Sequence, residues 1–160
     1  QIALLRPIQP EDEPAHYEFM SKLTPQDIRF RFFGTVRQLP HSEMARLTQL
    51  NYDREMAFIA SATKDDGGRE TFAVVRTVTD PNNERAEFAI VVRSDLQDLG
   101  LGSKMLDKMI HYCRDRGTEW MVGQVLEDNR KMLQLGESKG FGRRRIPDEN
   151  VFEVKLKLQS

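Results

Sequence analysis

The fold of this 160-residue chain is decided by one stretch, Ala86-Glu87-Phe88-Ala89-Ile90-Val91-Val92, followed by Gln97-Asp98-Leu99-Gly100-Leu101-Gly102-Ser103-Lys104. The first part is apolar and rich in β-branched residues, which predicts a strand with one glutamate inside it. The second part is a glycine-spaced turn that opens an amphipathic helix. Glycines let backbone N–H groups approach an anion, and a helix N-terminus favours negative charge. The order therefore predicts a phosphate-binding turn beside a strand that carries a carboxylate.

Composition limits the classes of protein to which the chain can belong. Hydrophobic residues make up 39% of the sequence and charged residues 31%, which suits one soluble domain with an ordinary core. The net charge of −1 lacks the basic excess typical of nucleic-acid-binding proteins. The one basic cluster, Arg143-Arg144-Arg145, is predicted to be a solvated turn. No apolar run approaches the roughly 20 residues that cross a bilayer. We therefore expect a cytoplasmic domain that binds neither nucleic acid nor membrane, excised from a longer chain at Gln1.

Cysteine and histidine usage argues against a metal centre. Cys113 is the sole cysteine, so neither an internal disulfide nor a cysteine-rich metal site can form. It lies on the apolar face of a predicted helix, where we expect a buried, unreactive thiol. The three histidines, His16, His41 and His111, are scattered in or beside predicted helices, and surface or packing roles are expected for them.

Hydrophobic periodicity gives the order of the elements. Strands are predicted at 3–8, 56–62, 71–78, 84–92, 118–126 and 151–158. Helices are predicted at 11–23, 24–33, shortly after Pro40, at 102–116, and from Asn129 to about residue 140. The three middle strands follow one another through short turns, which favours an antiparallel meander. The long connection from 92 to 118 favours a right-handed parallel crossover. The predicted fold class is α/β, a single domain with a mixed, largely antiparallel sheet flanked by helices.

Two common phosphate-binding motifs do not fit the glycine turn. The dinucleotide fingerprint requires a third glycine where Met105 stands. The nucleoside triphosphate loop aligns only on Lys104, and it then requires glycines at Asp98 and Ser103 and a hydroxyl residue at Met105. Both motifs are rejected, and a different phosphate-bearing ligand is expected.

Glu87 and Asn129 each have a structural and a functional interpretation. In the structural interpretation of Glu87, its face of the strand is exposed to solvent, or an arginine such as Arg85 or Arg93 compensates its charge. Alternatively, its carboxylate lies in a cleft of low dielectric constant and accepts a proton near neutral pH. Glu84 is the alternative base if a bulge changes which side chain faces the cleft. Asn129 is expected to cap the last helix, and its functional alternative is a polar contact to a ligand between two diverging strands.

Taken together, these residues resemble the GNAT superfamily of acyl-CoA-dependent N-acetyltransferases. The pyrophosphate loop of that family has Gln or Arg, then two residues, Gly, one residue, and Gly or Ala, and it matches 97–102. The order of elements is similar over essentially the whole chain. The resemblance implies acetyl-CoA as co-substrate and no metal. It implies cofactor-binding roles for Ile90, Val91, Val92, Gln97, Asp98, Leu99, Gly100, Leu101, Gly102, Ser103 and Asn129, and a general-base role for Glu87.

Two further segments resemble a narrower group within the family. These are Leu5-Arg6-Pro7-Ile8 with Glu11-Asp12-Glu13, and Tyr52-Asp53-Arg54-Glu55-Met56-Ala57-Phe58. The group consists of bacterial protein lysine acetyltransferases whose GNAT domain follows an acyl-CoA-synthetase-like region of the NDP-forming type. This resemblance implies transfer to a lysine of a protein substrate, an acyl-CoA synthetase being one candidate, and a fused synthetase-like region in the full-length chain. The alternatives are a small amine or a protein N-terminus as acceptor, or a non-catalytic acyl-CoA sensor.

The last helix departs from the pattern of the family. Many members carry a tyrosine seven residues after the position of Asn129, as general acid for the leaving thiolate. Gly136 stands at that position here. We therefore expect the thiolate either to take its proton from water or to be served by another group.

Overall fold

The elements of the computed structural model, which describes residues 4–32, 54–93 and 100–159, largely follow the predicted order. The strands are β1 (Leu4–Pro7), β2 (Glu55–Thr63), β3 (Arg69–Thr79), β4 (Arg85–Val92), β5 (Trp120–Leu126), β6 (Gly142–Arg145) and β7 (Val151–Lys157). A 3₁₀ turn at Pro10–Asp12 precedes the helices α1 (Glu13–Ser21), α2 (Pro25–Phe32), α3 (Leu101–Asp115) and α4 (Arg130–Ser138). The predicted helix after Pro40 and the predicted ligands Gln97, Asp98 and Leu99 lie outside the described residues.

The strands form one mixed sheet in the order β1-β2-β3-β4-β5-β7-β6. Five of its six neighbouring pairs are antiparallel. The remaining pair, β4 with β5, is parallel and is connected through α3. The α/β class, the largely antiparallel sheet and the crossover at the centre of the chain are thus confirmed. The one parallel pair lies in the middle of the sheet, where the chain leaves β4 for α3.

Among the described residues, two helices pack on each face of the sheet. On one face, α3 and α4 pack on the side chains of β2 to β5, with Met105, Leu106, Met109, Ile110 and Cys113 buried as the helical period predicts. On the other face, α1 and α2 pack on a smaller cluster that contains Phe19, Ile59, Val74 and, in part, Val91. β4 therefore contributes alternate side chains to two separate cores.

The basic segment at 143–145 is a strand, and its prediction as a solvated turn was wrong. β6 pairs antiparallel with β7 at the edge of the sheet, and all its residues are exposed. The guanidinium groups of Arg143 and Arg145 lie 5.3 and 5.8 Å from the ring centroid of Phe152. Backbone pairing and stacking on this ring hold the strand. The sequence lacked an apolar alternation because β6 contributes no core residue.

The first strand is tied to α1 by a buried ion pair. Arg6 donates to both carboxylate oxygens of Asp12, at 2.6 and 2.8 Å, and the backbone N–H of Gln9 donates to the same carboxylate at 2.7 Å. Burial opposes ionisation, but these hydrogen bonds outweigh it and lower the pKa of Asp12. Asp12 thereby closes the turn that precedes α1.

Cys113 is buried in α3, as expected. Burial raises the pKa of its thiol from 9.0 to about 11. Within the described parts of the chain, no helix is both long and apolar enough to cross a membrane. Those same parts bring no three His, Cys, Asp or Glu side chains together at a distance that would suit a metal ion.

Candidate functional site

A wedge-shaped gap opens between the two parallel strands at the centre of the sheet. β4 pairs with β5 at only three positions, from Arg85 with Trp120 to Glu87 with Val122. Beyond this point β4 stays paired with β3 as far as Val92, and β5 stays paired with β7 as far as Leu126. Because each strand follows its other neighbour, the two diverge, and the facing backbone edges leave the regular ladder.

The wide end of the gap opens into a cleft of about 710 Å³, which is lined by Ile90 to Val92 of β4 but not by Glu87. Seven of the eight predicted cofactor-binding residues that the structure describes line it, namely Ile90, Val91, Val92, Gly100, Gly102, Ser103 and Asn129. Leu101, the eighth, does not line it, because its side chain packs against the core under α3. Residues from the end of β4, the start of α3 and the start of α4 thus meet at one place.

The first turn of α3 forms one end of the cleft. Its N-cap is Gly100, with φ +79°, a left-handed conformation that favours glycine. Glycine has no side chain with which to cap the helix, and the first turn contains no acidic residue. The first amides of the helix therefore have no partner within their own helix and point towards the cleft with the positive end of the helix dipole. This arrangement suits a phosphate group.

Ser103, in the same turn, is held by a lysine that sequence analysis missed. Lys139, the residue after α4, donates from Nζ to Ser103 Oγ at 2.7 Å and pairs with Asp107 at 2.9 Å. Its side chain is only 16% exposed. The contact joins positions 36 residues apart, and no local pattern in the sequence could indicate it.

Asn129 serves as the predicted helix cap and also faces the cleft. Its side-chain oxygen accepts a hydrogen bond of 3.4 Å from the backbone N–H of Met132. Because the oxygen makes the cap, the NH₂ group of the same side chain is the part that can donate to a ligand. The structural and functional interpretations of Asn129 are therefore compatible.

Glu87 lies at the apex of the gap, but it is not buried as the functional interpretation expected. It occupies the last β4 position paired with β5, and its side chain is exposed. Alternation explains this: Ala86 and Phe88 face the core under α3, so Glu87 points to the face of α1 and α2. Glu84 lies in the turn before β4, roughly 20 Å from Ile90 at the rise of a strand, and the β3–β4 register shows no bulge that would bring it closer.

The second helix supplies a wall of the cleft that the sequence did not reveal. Gln26, Asp27 and Phe30 of α2 line it, opposite the turn between β5 and α4. Arg29 reaches across to Asp128 at 2.8 Å, and this hydrogen bond lowers the pKa of Asp128. A helical segment was predicted here, but its position over β4 depends on packing between residues far apart in sequence.

At the position where the resemblance implies a tyrosine, α4 has Gly136. This glycine is buried, and a Cβ atom added to it would meet Phe141 Cβ at 3.7 Å, an ordinary contact. Packing alone therefore does not demand glycine at this position. No acid at Gly136 can protonate a leaving group.

The chain matches the model of the acetyltransferase (GNAT) domain family over residues 3–142. It is 29% identical over 148 residues to an acetyltransferase of Pseudomonas aeruginosa, an alignment that covers 92% of this chain and 79% of that protein. Both the family model and this relative are named as acetyltransferases.

Solved structures share the fold. The GNAT domain of S. lividans PAT superposes with a TM-score of 0.86 at 24% identity, covering 97% of this chain and 90% of that one. The spermidine N-acetyltransferase of Vibrio cholerae, solved with CoA and spermine, superposes with a TM-score of 0.76 at 16% identity, covering 98% and 95%. At these identities the similarity extends to the fold alone.

Proposed function

Because the chain belongs to the acetyltransferase (GNAT) family, we propose that it transfers the acetyl group of acetyl-CoA to the side-chain amine of a lysine in a protein substrate. The observation that carries the proposal is the gap between β4 and β5, which leads from an exposed glutamate to an uncapped helix N-terminus. A ligand with a long arm and a pyrophosphate fits such a gap, since the arm needs strand edges and the pyrophosphate needs free amides.

The donor would be held mainly by backbone groups. Ile90, Val91 and Val92 offer the edge of β4 to the pantetheine arm, and the NH₂ of Asn129 donates from the other side of the cleft. The amides of Leu101, Gly102 and Ser103 hold the pyrophosphate, and Gln97, Asp98 and Leu99 are predicted to extend this loop. Arg130 and Lys131, exposed at the rim of the cleft, add positive charge for the phosphates.

Glu87 is proposed as the general base, acting through a water molecule. A lysine amine has a pKa of about 10.4, so removing its proton at neutral pH costs roughly 4–5 kcal/mol. The exposed position of Glu87 at the apex of the gap supports this role, because an ammonium group arriving from solvent can reach it. Its carboxylate accepts the proton and leaves a neutral amine beside the thioester.

Acetyl-CoA supplies an activated acyl group as a thioester. The amine nitrogen attacks the carbonyl carbon, the new C–N bond forms, and the C–S bond breaks with departure of the thiolate. The nitrogen, positively charged after the attack, releases its second proton to water and becomes the neutral amide. A backbone N–H near Ile90 or Val91 donates to the oxyanion that develops on the carbonyl oxygen. Since Gly136 offers no acid, the thiolate takes its proton from water or from another group at the cleft.

An acetylation assay with three acceptors tests which amine receives the acetyl group. The chain would be incubated with acetyl-CoA and one of three acceptors: a lysine-containing protein such as an acyl-CoA synthetase, the same protein with its lysines dimethylated, and spermidine. Intact-mass measurement should show acetyl gain on the first protein and none on the dimethylated one, because a tertiary amine cannot form a stable amide. Gain on spermidine alone would assign a small-amine acceptor, and gain confined to a free N-terminus would assign that group.

A further inference from the structure

Lys139 lies next to the end of the cleft that is formed by the first turn of α3, but it does not line the cleft itself. It follows α4, and its side chain runs back to the first turns of α3, where Nζ contacts Ser103 Oγ at 2.7 Å and Asp107 Oδ1 at 2.9 Å. The lysine side chain is 16% exposed and that of Asp107 60% exposed. The ammonium group of Lys139 is thus the more buried member of the ion pair, and it lies next to the N-terminus of α3.

The direction of the hydrogen bond to Ser103 has a consequence for the ligand. An ammonium group has donors and no acceptor, so Ser103 Oγ must accept from Lys139. The hydroxyl proton of Ser103 is then free to be donated to another group, and Ser103 lines the cleft. An acceptor oxygen in the cleft, such as that of a phosphate, completes this chain of hydrogen bonds.

We propose that Lys139 is a positioning residue for the pyrophosphate of the acyl donor. It fixes the hydroxyl of Ser103 as a donor towards the cleft and adds a positive charge behind the first turn of α3. The inference rests on the proposed function, since it assumes that CoA binds in this cleft. It predicts that Lys139 acts on the phosphate part of the donor and not on the pantetheine arm.

Binding of two ligands separates this role from a merely structural one. Calorimetric titration would compare CoA with pantetheine, which carries the same thiol and arm but no phosphate. Lys139→Met keeps the length of the side chain and removes the charge, and it should weaken CoA binding about tenfold, the scale of one charge-assisted hydrogen bond. Pantetheine binding should stay within about twofold, whereas a structural tie between α3 and α4 would affect both ligands alike.

Three further variants make the test specific. Ser103→Ala leaves the ion pair with Asp107 in place and should cause a similar loss of CoA affinity, and the double variant should lose little more than either single one. Lys139→Arg should retain most of the affinity. Lys104→Met removes an exposed lysine of the same helix turn that does not line the cleft, and it should change CoA affinity far less.

The outcomes distinguish this inference from the proposed function. Failure of the wild-type chain to bind CoA would contradict the proposed function itself, before any variant is compared. CoA binding by the wild type, with Lys139→Met and Ser103→Ala both within twofold of it, would overturn the role of Lys139 alone. Equal losses for CoA and pantetheine would likewise overturn it and leave a structural contact. If Lys139→Met does not fold, Lys139→Gln is titrated with CoA and pantetheine instead, and equal losses for both ligands, or affinities within twofold of the wild type, overturn the role of Lys139.

Discussion

The ring of Phe88 lies so close to the backbone of Gly123 that a Cβ atom on the glycine would come within 2.6 Å of it. These two residues follow the last pair that joins β4 to β5, Glu87 with Val122. Phe88 is buried, and its ring also lies 5.4 Å from that of Phe141. The ring therefore occupies the space of a missing side chain at the narrow end of the gap, where the two strands begin to diverge.

Gly123→Ala should destabilise the fold. The added methyl group overlaps the Phe88 ring, and relief requires a shift of ring or strand that costs about 1–3 kcal/mol. Denaturant unfolding measures the loss. Gly136→Ala is the matched control, because its Cβ would make only an ordinary contact at 3.7 Å and an alanine favours the helix by about 0.5–1 kcal/mol. Equal stability of Gly123→Ala and wild type would show that the Phe88 ring does not pack against the backbone of Gly123.

Gly102→Val should weaken CoA binding far more than folding. A Cβ at this position would lie 3.5 Å from Leu135 Cδ2 and 3.8 Å from Val92 Cγ2, so the fold has room for it. Both neighbours line the cleft, and the branched side chain would stand between the helix amides and a phosphate. The loss of one charge-assisted hydrogen bond predicts about a 10- to 100-fold rise in Kd. Calorimetric titration measures the Kd for CoA, and a thermal melt of each variant shows that it is folded. Unchanged affinity in a folded variant would show that the phosphates do not bind at this helix turn.

The sequence predicted the elements that repeat a pattern and missed those that depend on distant contacts. The strand at β4, the helix start at Gly100 and the apolar face of α3 all carry local signals, and the structure has them. β6 carries none, because its arginines are held by β7 and by the ring of Phe152. The contact of Lys139 with Ser103 and the placement of α2 over the cleft are likewise tertiary.

Of the two interpretations of Glu87, the structure agrees with the solvent-exposed face and not with the cleft of low dielectric constant, for a reason that lies in the same strand. The apolar run made the whole strand look interior, but alternation gives β4 two faces with different cover. Phe88 and Ile90 face the large core, and Val91 joins the smaller one further along. Glu87 falls where pairing with β5 stops, and its side chain is open to solvent. Its effect on stability is therefore expected to be small.

The buried thiol of Cys113 should make the fold sensitive to alkaline pH. Burial raises its pKa from 9.0 to about 11, so the folded chain keeps a proton that the unfolded chain loses between these values. The free energy of unfolding should fall across this window by about 1.4 kcal/mol per pH unit relative to Cys113→Ala. Below pH 9 the difference between the two proteins should be constant.

Unfolding of both proteins by denaturant from pH 8 to pH 11 measures this contribution, since all other titrating groups are common to them. Parallel pH profiles would contradict it. The native thiol should also resist thiol-modifying reagents at neutral pH, because the reactive form is the thiolate.

The proposed mechanism depends most on Glu87, and one comparison of rates tests this role directly. Acetyl transfer to a lysine-containing protein would be measured for wild type, Glu87→Gln and Glu119→Gln, which removes the same charge from an exposed position before β5. As a general base, Glu87 should contribute about 10²- to 10⁴-fold to the rate and little to CoA affinity. We predict that Glu87→Gln folds, binds CoA as the wild type does and loses turnover by that factor, while Glu119→Gln keeps it. Wild-type turnover in Glu87→Gln would contradict the assignment of the base.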